Sequence, residues 1–257
     1  DGSRGTMGIH FGLNMYENLP FWYTLFTNLN FEVVLSPEST RSLYIKGQQT
    51  IPSDTVCYPA KLLHGHVMAL LDEGVDTIFY PCMSYNFDEH LADNHYNCPV
   101  VAYYPDLLAV NIPALSKVKY LHPNLGIHRP KDFEKKGAKL LADEFGVPKR
   151  ESVKAIRKAY EAYHGFRDLV QQKGAEYIDF ARKSGRKILV VAGRPYHMDP
   201  EINHGINDLI TSFGFVLVTE DAVFQHMGKE PRHVLNQWTY HARMYNAARY
   251  VCTQPDM

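Results

Sequence analysis

Four cysteines, Cys57, Cys82, Cys98 and Cys252, are the residues of this 257-residue chain best suited to bind a soft metal or act as nucleophiles. They lie far apart in the sequence and form no CxxC pair. No signal-peptide pattern accompanies them, so a disulfide framework is not expected. The alternative reading of all four is that they are small buried hydrophobic residues.

The predicted elements place two of these cysteines at one edge of a sheet. Cys57 directly precedes a predicted helix, whose N-terminus favours a thiolate. Cys82 follows the strand predicted over residues 76–81, so it lies at the carboxyl end of that strand. Ligands of doubly wound sheets collect at this edge, and we therefore predict Cys57 and Cys82 as paired metal ligands. Cys98 precedes a predicted strand, which places it at the opposite edge.

Two thiolates do not complete a metal site, because structural zinc takes four ligands and cubane iron–sulfur clusters take cysteine thiolates. Zinc bound by the two cysteines and one or two imidazoles is an alternative, with candidates His64, His66, His90 and His95. The chain has 13 histidines, so we expect surface or hydrogen-bonding roles for most of them.

A dense polar run at residues 193–205 follows a predicted strand and leads into a predicted helix. Such a junction holds anions, because backbone N–H groups point outward and an arginine supplies a planar fork. The run is neither a P-loop nor a GxGxxG fingerprint. Capping explains Asp199 and Pro200, which suit the N-cap and the first helical position. The remaining residues predict a substrate site formed by Arg194, Tyr196, His197, Asn203 and His204.

Two further segments are candidates for the same cleft. The loop at residues 13–22 leaves the carboxyl edge of a strand, although an ordinary hydrophobic helix start explains it equally well. The segment at residues 232–250 is rich in Trp, Tyr, His and Arg and would suit stacking on a nucleotide or a partner. A half-buried helix that covers a sheet is the favoured interpretation of that segment.

Alternating strand and helix signals surround these residues. Apolar and β-branched runs predict strands over residues 8–13, 31–36, 76–81, 99–104, 187–192 and 215–219. Helical spacing predicts helices over residues 20–29, 59–73 and 201–213. Near-continuous apolar strands separated by helices are typical of a parallel sheet covered on both faces, so the predicted fold class is α/β.

The chain divides into three predicted parts. Residues 7–128 form an N-terminal α/β domain, and residues 129–186 form a charged helical segment broken at residues 146–148 and broken or kinked at Gly174. Residues 187–257 form a second α/β domain with only two strands, which is expected to be truncated or to borrow strands from the first. Residues 1–6 are interpreted as an appended segment and left outside the predicted fold.

Composition narrows the classes of partner. Lys plus Arg number 27 and Asp plus Glu 28, giving a formal charge of −1, so binding to nucleic acid or to an anionic membrane is not expected. No apolar run reaches the length of a membrane span. We predict a soluble, cytoplasmic, globular protein.

Several long motifs resemble a single family. They lie at residues 13–18, 56–66, 79–86, 94–101, 193–197 and 203–206. Together they resemble the uncharacterised dehydratase-like domain of large activase fusion proteins of anaerobic bacteria, within the 2-hydroxyacyl-CoA dehydratase/activase family. The resemblance spans residues 7–257.

The resemblance implies two Rossmann/flavodoxin-like parallel-sheet halves joined by a helical segment. It also implies an iron–sulfur cluster, either 4Fe-4S or double cubane, held by three cysteines in the cleft between the halves. Cys57 and Cys82 match the first two cluster positions, and the third is expected just beyond Met257. Cys98 lies in a matching segment but is not an expected ligand. With its third cysteine missing, this stretch of chain is expected to hold the cluster poorly and to be inactive by itself.

The chemistry implied by the resemblance is a one-electron reaction. An ATP-dependent activase domain, in the same chain or a separate one, delivers an electron that reduces a 2-hydroxyacyl-CoA thioester to a ketyl radical, which loses its hydroxyl group. Two alternatives stay open: a double-cubane-type reductase of small molecules, and a non-catalytic module that docks an activase or a partner subunit. Relatives that pair two similar subunits imply a dimer.

Overall fold

Two parallel sheets organise the chain, whose computed structural model describes residues 2–231 and 233–257. The first sheet has the order β2-β1-β3-β4, with β1 at Thr6–Ile9, β2 at Glu32–Leu35, β3 at Thr77–Phe79 and β4 at Lys119–Leu121. The second sheet pairs β5, Ile188–Val191, with β6, Val216–Thr219. The predicted α/β class is confirmed, whereas the Rossmann/flavodoxin-like halves and the three domain boundaries stay predictions.

Helices connect the strands and cover the sheets. Around the first sheet lie α1 Met15–Thr27, α2 Arg41–Gly47, α3 Tyr58–Asp72 and α4 Pro99–Asn111. Two long helices follow, α5 Pro130–Phe145 and α6 Lys149–Ser184. The second sheet is accompanied by α7 Pro200–Asn203, α8 Ile206–Ser212 and α9 Thr239–Val251. No helix in the described part of the chain is both long and apolar enough to span a lipid bilayer.

The strand predicted over residues 99–104 is wrong, because this segment forms the first half of α4. Pro99 occupies the first helical position, where its fixed φ and missing N–H favour a helix start. Val101 and Tyr104 of the apolar run that follows are buried, because α4 packs beside α3 on one face of the sheet, and the run resembles a buried strand in composition. The fourth strand is instead β4, which pairs with β3 in parallel.

Four other predicted boundaries also change. Gly174 lies inside α6 without ending it, and its missing Cβ allows a close approach to Ala222, since a Cβ would come within 2.3 Å of the Ala222 side chain. The helix predicted over residues 201–213 is two short helices, because His204 and Gly205 adopt left-handed backbone conformations. The final helix begins at Thr239, and Arg232 lies outside the described residues. The prediction that residues 1–6 lie outside the fold is wrong for Thr6, which begins β1.

The main hydrophobic core joins the first sheet to the long helices. Phe21 of α1 packs edge-on against Phe133 of α5 and Tyr160 of α6, with ring centroids 5.1 and 4.8 Å apart. Trp22 of α1 contacts Phe79 of β3 at 4.8 Å. Aromatic pairs of this geometry add to the free energy gained from burial. Helices α5 and α6 are therefore part of the core and not only a surface bridge.

A buried ion network joins α9 to the first sheet. This network, called the Glu17–Arg243 network, consists of Glu17 of α1, Glu89, Arg167 of α6 and Arg243 of α9. The Arg243 guanidinium donates to Glu17 Oε1 at 2.6 Å and to both carboxylate oxygens of Glu89 at 2.8 Å. Burial would raise the pKa of Glu17, but Arg243 and Arg167 lower it below its ordinary value. Glu17 is therefore an ionised anchor that holds α9 in place.

Replacing Arg243 with methionine is expected to cost about 3–5 kcal/mol of unfolding free energy, because Glu17 and Glu89 stay buried with one cation removed. Urea unfolding of wild-type and variant protein measures the loss. Arg157→Met is the control, because Arg157 pairs with Glu134 at the surface and such pairs contribute about 0–1 kcal/mol. Equal losses in the two variants would contradict the anchoring role of Arg243.

Candidate functional site

The candidate site lies where the carboxyl ends of the two sheets meet. The loop after β5 packs on the carboxyl edge of the first sheet through Asp199, whose Oδ2 accepts hydrogen bonds from Tyr16 OH at 2.8 Å and from Ser39 Oγ. Asp199 Oδ1 caps α7 by accepting from the backbone N–H groups of Glu201 and Ile202. The predicted capping role of Asp199 is confirmed. The same carboxylate therefore caps a helix and ties the two sheets together.

A cavity of about 170 Å³ opens beside this junction. We call it the Cys98 cavity, and it is lined by Tyr96, Cys98, Pro99, Arg194, Trp238, Tyr240 and His241. Its walls come from the start of α4, from the loop after β5 and from α9. It therefore combines a thiol, a guanidinium, an imidazole and aromatic surfaces from three distant parts of the chain.

Of the five predicted substrate residues, Arg194 lines the cavity directly. Arg194 is a partly buried residue, and within residues 2–231 and 233–257 no hydrogen bond or ion pair to its guanidinium is described. Its backbone N–H donates to His197 Nδ1 at 3.2 Å, so His197 shapes the loop. Burial, followed by the charge of Arg194, lowers the pKa of His197.

The other three predicted residues take different positions. Tyr196 is only 4 % exposed and packs into the core of the first sheet. Asn203 bonds Asn207 through its side-chain oxygen and nitrogen, at 3.0 and 3.1 Å, which joins α7 to α8. His204 is exposed and adopts a left-handed conformation, with φ of 53°.

Cys57 and Cys98 both lie close enough to Tyr196 to act on the ionisation of its hydroxyl. Each occupies the N-cap of a helix, Cys57 of α3 and Cys98 of α4. Burial raises the pKa of Tyr196, the charge of Arg194 offsets part of this rise, and the nearby Cys98 and Cys57 thiols add to it. The expectation that Cys98 lies at the opposite edge is wrong, because a helix, not a strand, begins after it.

Cys82 has different neighbours. Its buried thiol donates to Asp106 Oδ1 at 3.6 Å and to the His122 carbonyl at 3.8 Å. Burial and the Asp106 carboxylate raise the pKa of Cys82 to about 12, so the thiol stays protonated at neutral pH. Cys252 is exposed at the C-terminal end of α9.

The histidines proposed as zinc ligands have other partners. The His64 ring bonds Thr50 Oγ1 at 2.7 Å and Tyr104 OH at 3.0 Å. The His66 ring lies between two serine hydroxyls, those of Ser36 and Ser39. Burial lowers the pKa of both histidines to about 4, so both are neutral. His95 Nδ1 contacts the Asn86 carbonyl at 2.7 Å, and exposed His90 lies beside Asp88. Across the residues described, no group of three or more His, Cys, Asp or Glu side chains is arranged to hold a metal ion.

Sequence reasoning missed two buried polar groups at the sheet edges. His10 follows β1, has no partner for either ring nitrogen among the described residues, and contacts Tyr80 with ring centroids 4.0 Å apart. Glu220 follows β6, accepts from the backbone N–H of Gly193 at 3.4 Å and leaves its second oxygen without a described partner. Burial and then Asp221 raise the pKa of Glu220 to about 8. The available signal was their position directly after a strand, where ligands of parallel sheets bind.

Comparison with known protein families matches residues 6–223 to the CoA enzyme activase uncharacterised domain. The chain belongs to this family. The match covers both sheets of the activase-family domain, together with Cys57, Cys98 and Arg194, and it ends before α9. Neither the curated proteins nor the solved structures compared with the domain give a match. The activase part of the resemblance is thus established, while its dehydratase part stays a prediction.

We expect Glu220→Gln to change how the stability of this domain depends on pH. The native pKa of Glu220, about 8, lies above that of an exposed carboxyl, so its stabilising contribution is complete below pH 4 to 5 and lost as pH rises towards 8. Between about pH 5 and 8, the unfolding free energy of the wild type should fall by on the order of 1–3 kcal/mol more than that of the variant. Denaturant unfolding across this range measures the difference, and parallel curves would contradict the assignment.

Proposed function

We propose that this activase-family domain binds an acyl-CoA thioester, with an anionic group of the ligand on Arg194 and the acyl end in the Cys98 cavity. The observation that carries the proposal is Arg194, a partly buried residue that lines the cavity beyond the carboxyl end of β5 and whose guanidinium has no described partner. Burying a cation without a partner is unfavourable, so such a group is suited to meet an anion. The phosphates of CoA and a substrate carboxylate are anions that the planar guanidinium binds well.

The shape and lining of the cavity support a thioester. Tyr96, Trp238 and Pro99 provide apolar walls that suit a pantetheine arm or an acyl chain. A volume of about 170 Å³ accommodates a small acyl group but not the nucleotide of CoA, which would lie outside. The chain belongs to the family of the CoA enzyme activase uncharacterised domain, and a CoA thioester agrees with that family name.

The family resemblance suggests a more specific role. In that role the domain belongs to an iron–sulfur 2-hydroxyacyl-CoA dehydratase, and an ATP-dependent activase supplies it with electrons. Cys57 supports this role, because it is exposed at the N-terminus of α3. Cys82 does not fit, because its thiol is buried against Asp106 and its pKa is raised. The two predicted ligands therefore do not form a cluster site as they stand, and no reaction step is assigned to a cluster.

Arg194→Ala is expected to weaken CoA binding about 10- to 100-fold, because a charged hydrogen-bonding partner contributes about 1.5–3 kcal/mol. Isothermal titration calorimetry with CoA measures the dissociation constant. Arg186→Ala is the matched control, because Arg186 is an exposed arginine at the end of α6 that does not line the cavity. An unchanged dissociation constant for Arg194→Ala would refute the proposed contact.

One measurement distinguishes the cluster-binding role from the thioester-binding role. It is the content of iron and acid-labile sulfide after anaerobic reconstitution of the protein. A cluster held as the resemblance implies requires iron that is lost in both Cys57→Ala and Cys82→Ala and retained in Cys98→Ala. We expect CoA binding to persist in the Cys82→Ala variant, because Cys82 lies outside the Cys98 cavity. Stoichiometric iron with that mutational pattern would instead favour the redox role and would require Cys82 to change its environment.

A further inference from the structure

A buried series of hydrogen bonds joins the first sheet to the loop after β5. We call it the Ser36–Asp199 network, and it consists of Ser36, His66, Ser39 and Asp199. The His66 ring lies 2.8 Å from Ser36 Oγ through Nδ1 and 3.0 Å from Ser39 Oγ through Nε2. Ser39 in turn donates to Asp199 Oδ2. All four residues are at most 5 % exposed, so their polar groups depend on one another for hydrogen bonds.

The direction of these bonds follows from Asp199. A carboxylate accepts hydrogen bonds and has none to donate, and Asp199 Oδ2 accepts from both Ser39 and Tyr16. Ser39 uses its only hydrogen in this bond, so its oxygen accepts from His66 Nε2–H. Burial lowers the pKa of His66 to about 4, so the neutral ring carries a single N–H and its Nδ1 is an acceptor.

Ser36 completes the direction at the other end of the network. Its Oγ accepts from the backbone N–H of Phe11 at 2.8 Å, and its own hydrogen is left to donate to His66 Nδ1. The hydrogen bonds therefore run one way, from the backbone after β1 to Asp199. This direction assigns the Nε2–H tautomer to His66.

His64, two residues earlier on α3, takes the opposite tautomer. Thr50 Oγ1 donates to the Gly47 carbonyl at 2.8 Å, so it accepts from His64 Nδ1–H. His64 Nε2 then accepts from Tyr104 OH at 3.0 Å. Neither of these two partners belongs to the loop after β5, so His64 is a control for His66 on the same helix.

A tight turn connects Asp199 to Arg194. Pro195–Met198 form a single 3-10 turn between the two residues. The His197 N–H donates to the Arg194 carbonyl at 2.8 Å, and the Asp199 N–H donates to the Tyr196 carbonyl at 3.3 Å. These bonds restrict the backbone between Arg194 and Asp199. The contacts of Asp199 with the first sheet therefore also set the position of Arg194.

We propose that the Ser36–Asp199 network positions Arg194 for its anionic ligand, so that His66 and Ser39 are positioning residues of the thioester site. The inference rests on the proposed function, because it concerns the same ligand. It adds that residues which do not line the Cys98 cavity control the affinity of the site. The uninterrupted run of buried hydrogen bonds from His66 to the N-cap of α7 carries it.

The tautomers of the two histidines test the direction of the network. Long-range ¹H–¹⁵N correlation spectra of the ¹⁵N-labelled protein at neutral pH distinguish protonated from unprotonated ring nitrogens. Sequential assignment identifies His66 and His64 among the 13 histidines without any substitution. We expect Nε2–H for His66 and Nδ1–H for His64.

Asp199→Asn is expected to reverse the network. Asparagine is a good N-cap, so its oxygen keeps the two backbone N–H groups of α7 and its amide nitrogen faces Ser39. Ser39 then accepts from the amide and donates to His66 Nε2, which moves the ring hydrogen to Nδ1. The His66 tautomer should change while that of His64 stays the same. If Asp199 only capped α7, both tautomers would be unchanged.

Ser39→Ala is expected to weaken CoA binding about 2- to 30-fold, because substitutions along a coupled network change affinity by this order. Isothermal titration calorimetry with CoA measures the dissociation constant. Thr50→Ala is the matched control, because it removes a hydroxyl partner of His64 and leaves the Ser36–Asp199 network intact. This control should bind CoA like the wild type.

Three results would overturn the inference. An Nδ1–H tautomer of His66 in the wild type, or an unchanged His66 tautomer in Asp199→Asn, refutes the directed network. Equal dissociation constants for Ser39→Ala and the wild type refute the positioning role. If the wild type binds no CoA, the proposed thioester site fails and the positioning role fails with it, whereas the tautomers still decide the direction of the network.

Discussion

The pairing of Arg243 with Glu17 is the interaction on which the rest of the site depends. It joins α9, near the end of the chain, to α1, which follows the first strand. Both side chains are almost completely buried, so each charge needs the other. Glu89 and Arg167 extend the pairing to two cations and two carboxylates, which leaves the buried group without net charge.

This pairing has a consequence for the Cys98 cavity. Tyr240 and His241 belong to the same turn of α9 as Arg243, and Tyr240 OH donates to Glu17 Oε2 at 2.8 Å. The position of His241 in the cavity wall is therefore set by a charge pair outside the cavity. Asp199 acts in the same way on the other wall, because it holds the loop that carries Arg194 against the first sheet.

The start of α4 decides the chemistry of the cleft. If residues 99–104 formed a strand, Cys98 would lie at the amino edge of the sheet, far from Arg194. As the N-cap of a helix, Cys98 lies at the carboxyl edge, as Cys57 does. Cys82 also follows a strand at this edge, but its thiol is buried and donates to Asp106. Position at an edge is therefore not sufficient to make a cysteine reactive or ligating.

The sequence by itself determined the local features of this protein. Patterns that span a few residues predict the α/β class and the strand-forming runs of β1, β2, β3, β5 and β6. They also predict the cap at Asp199-Pro200 and the position of Arg194 after β5. Only the tertiary structure decided that residues 99–104 are helical, because a short buried apolar run has no periodicity that separates helix from strand. It also decided the pairing of Glu17 with Arg243 and the raised pKa of Glu220, since these depend on burial and on contacts between residues distant in sequence.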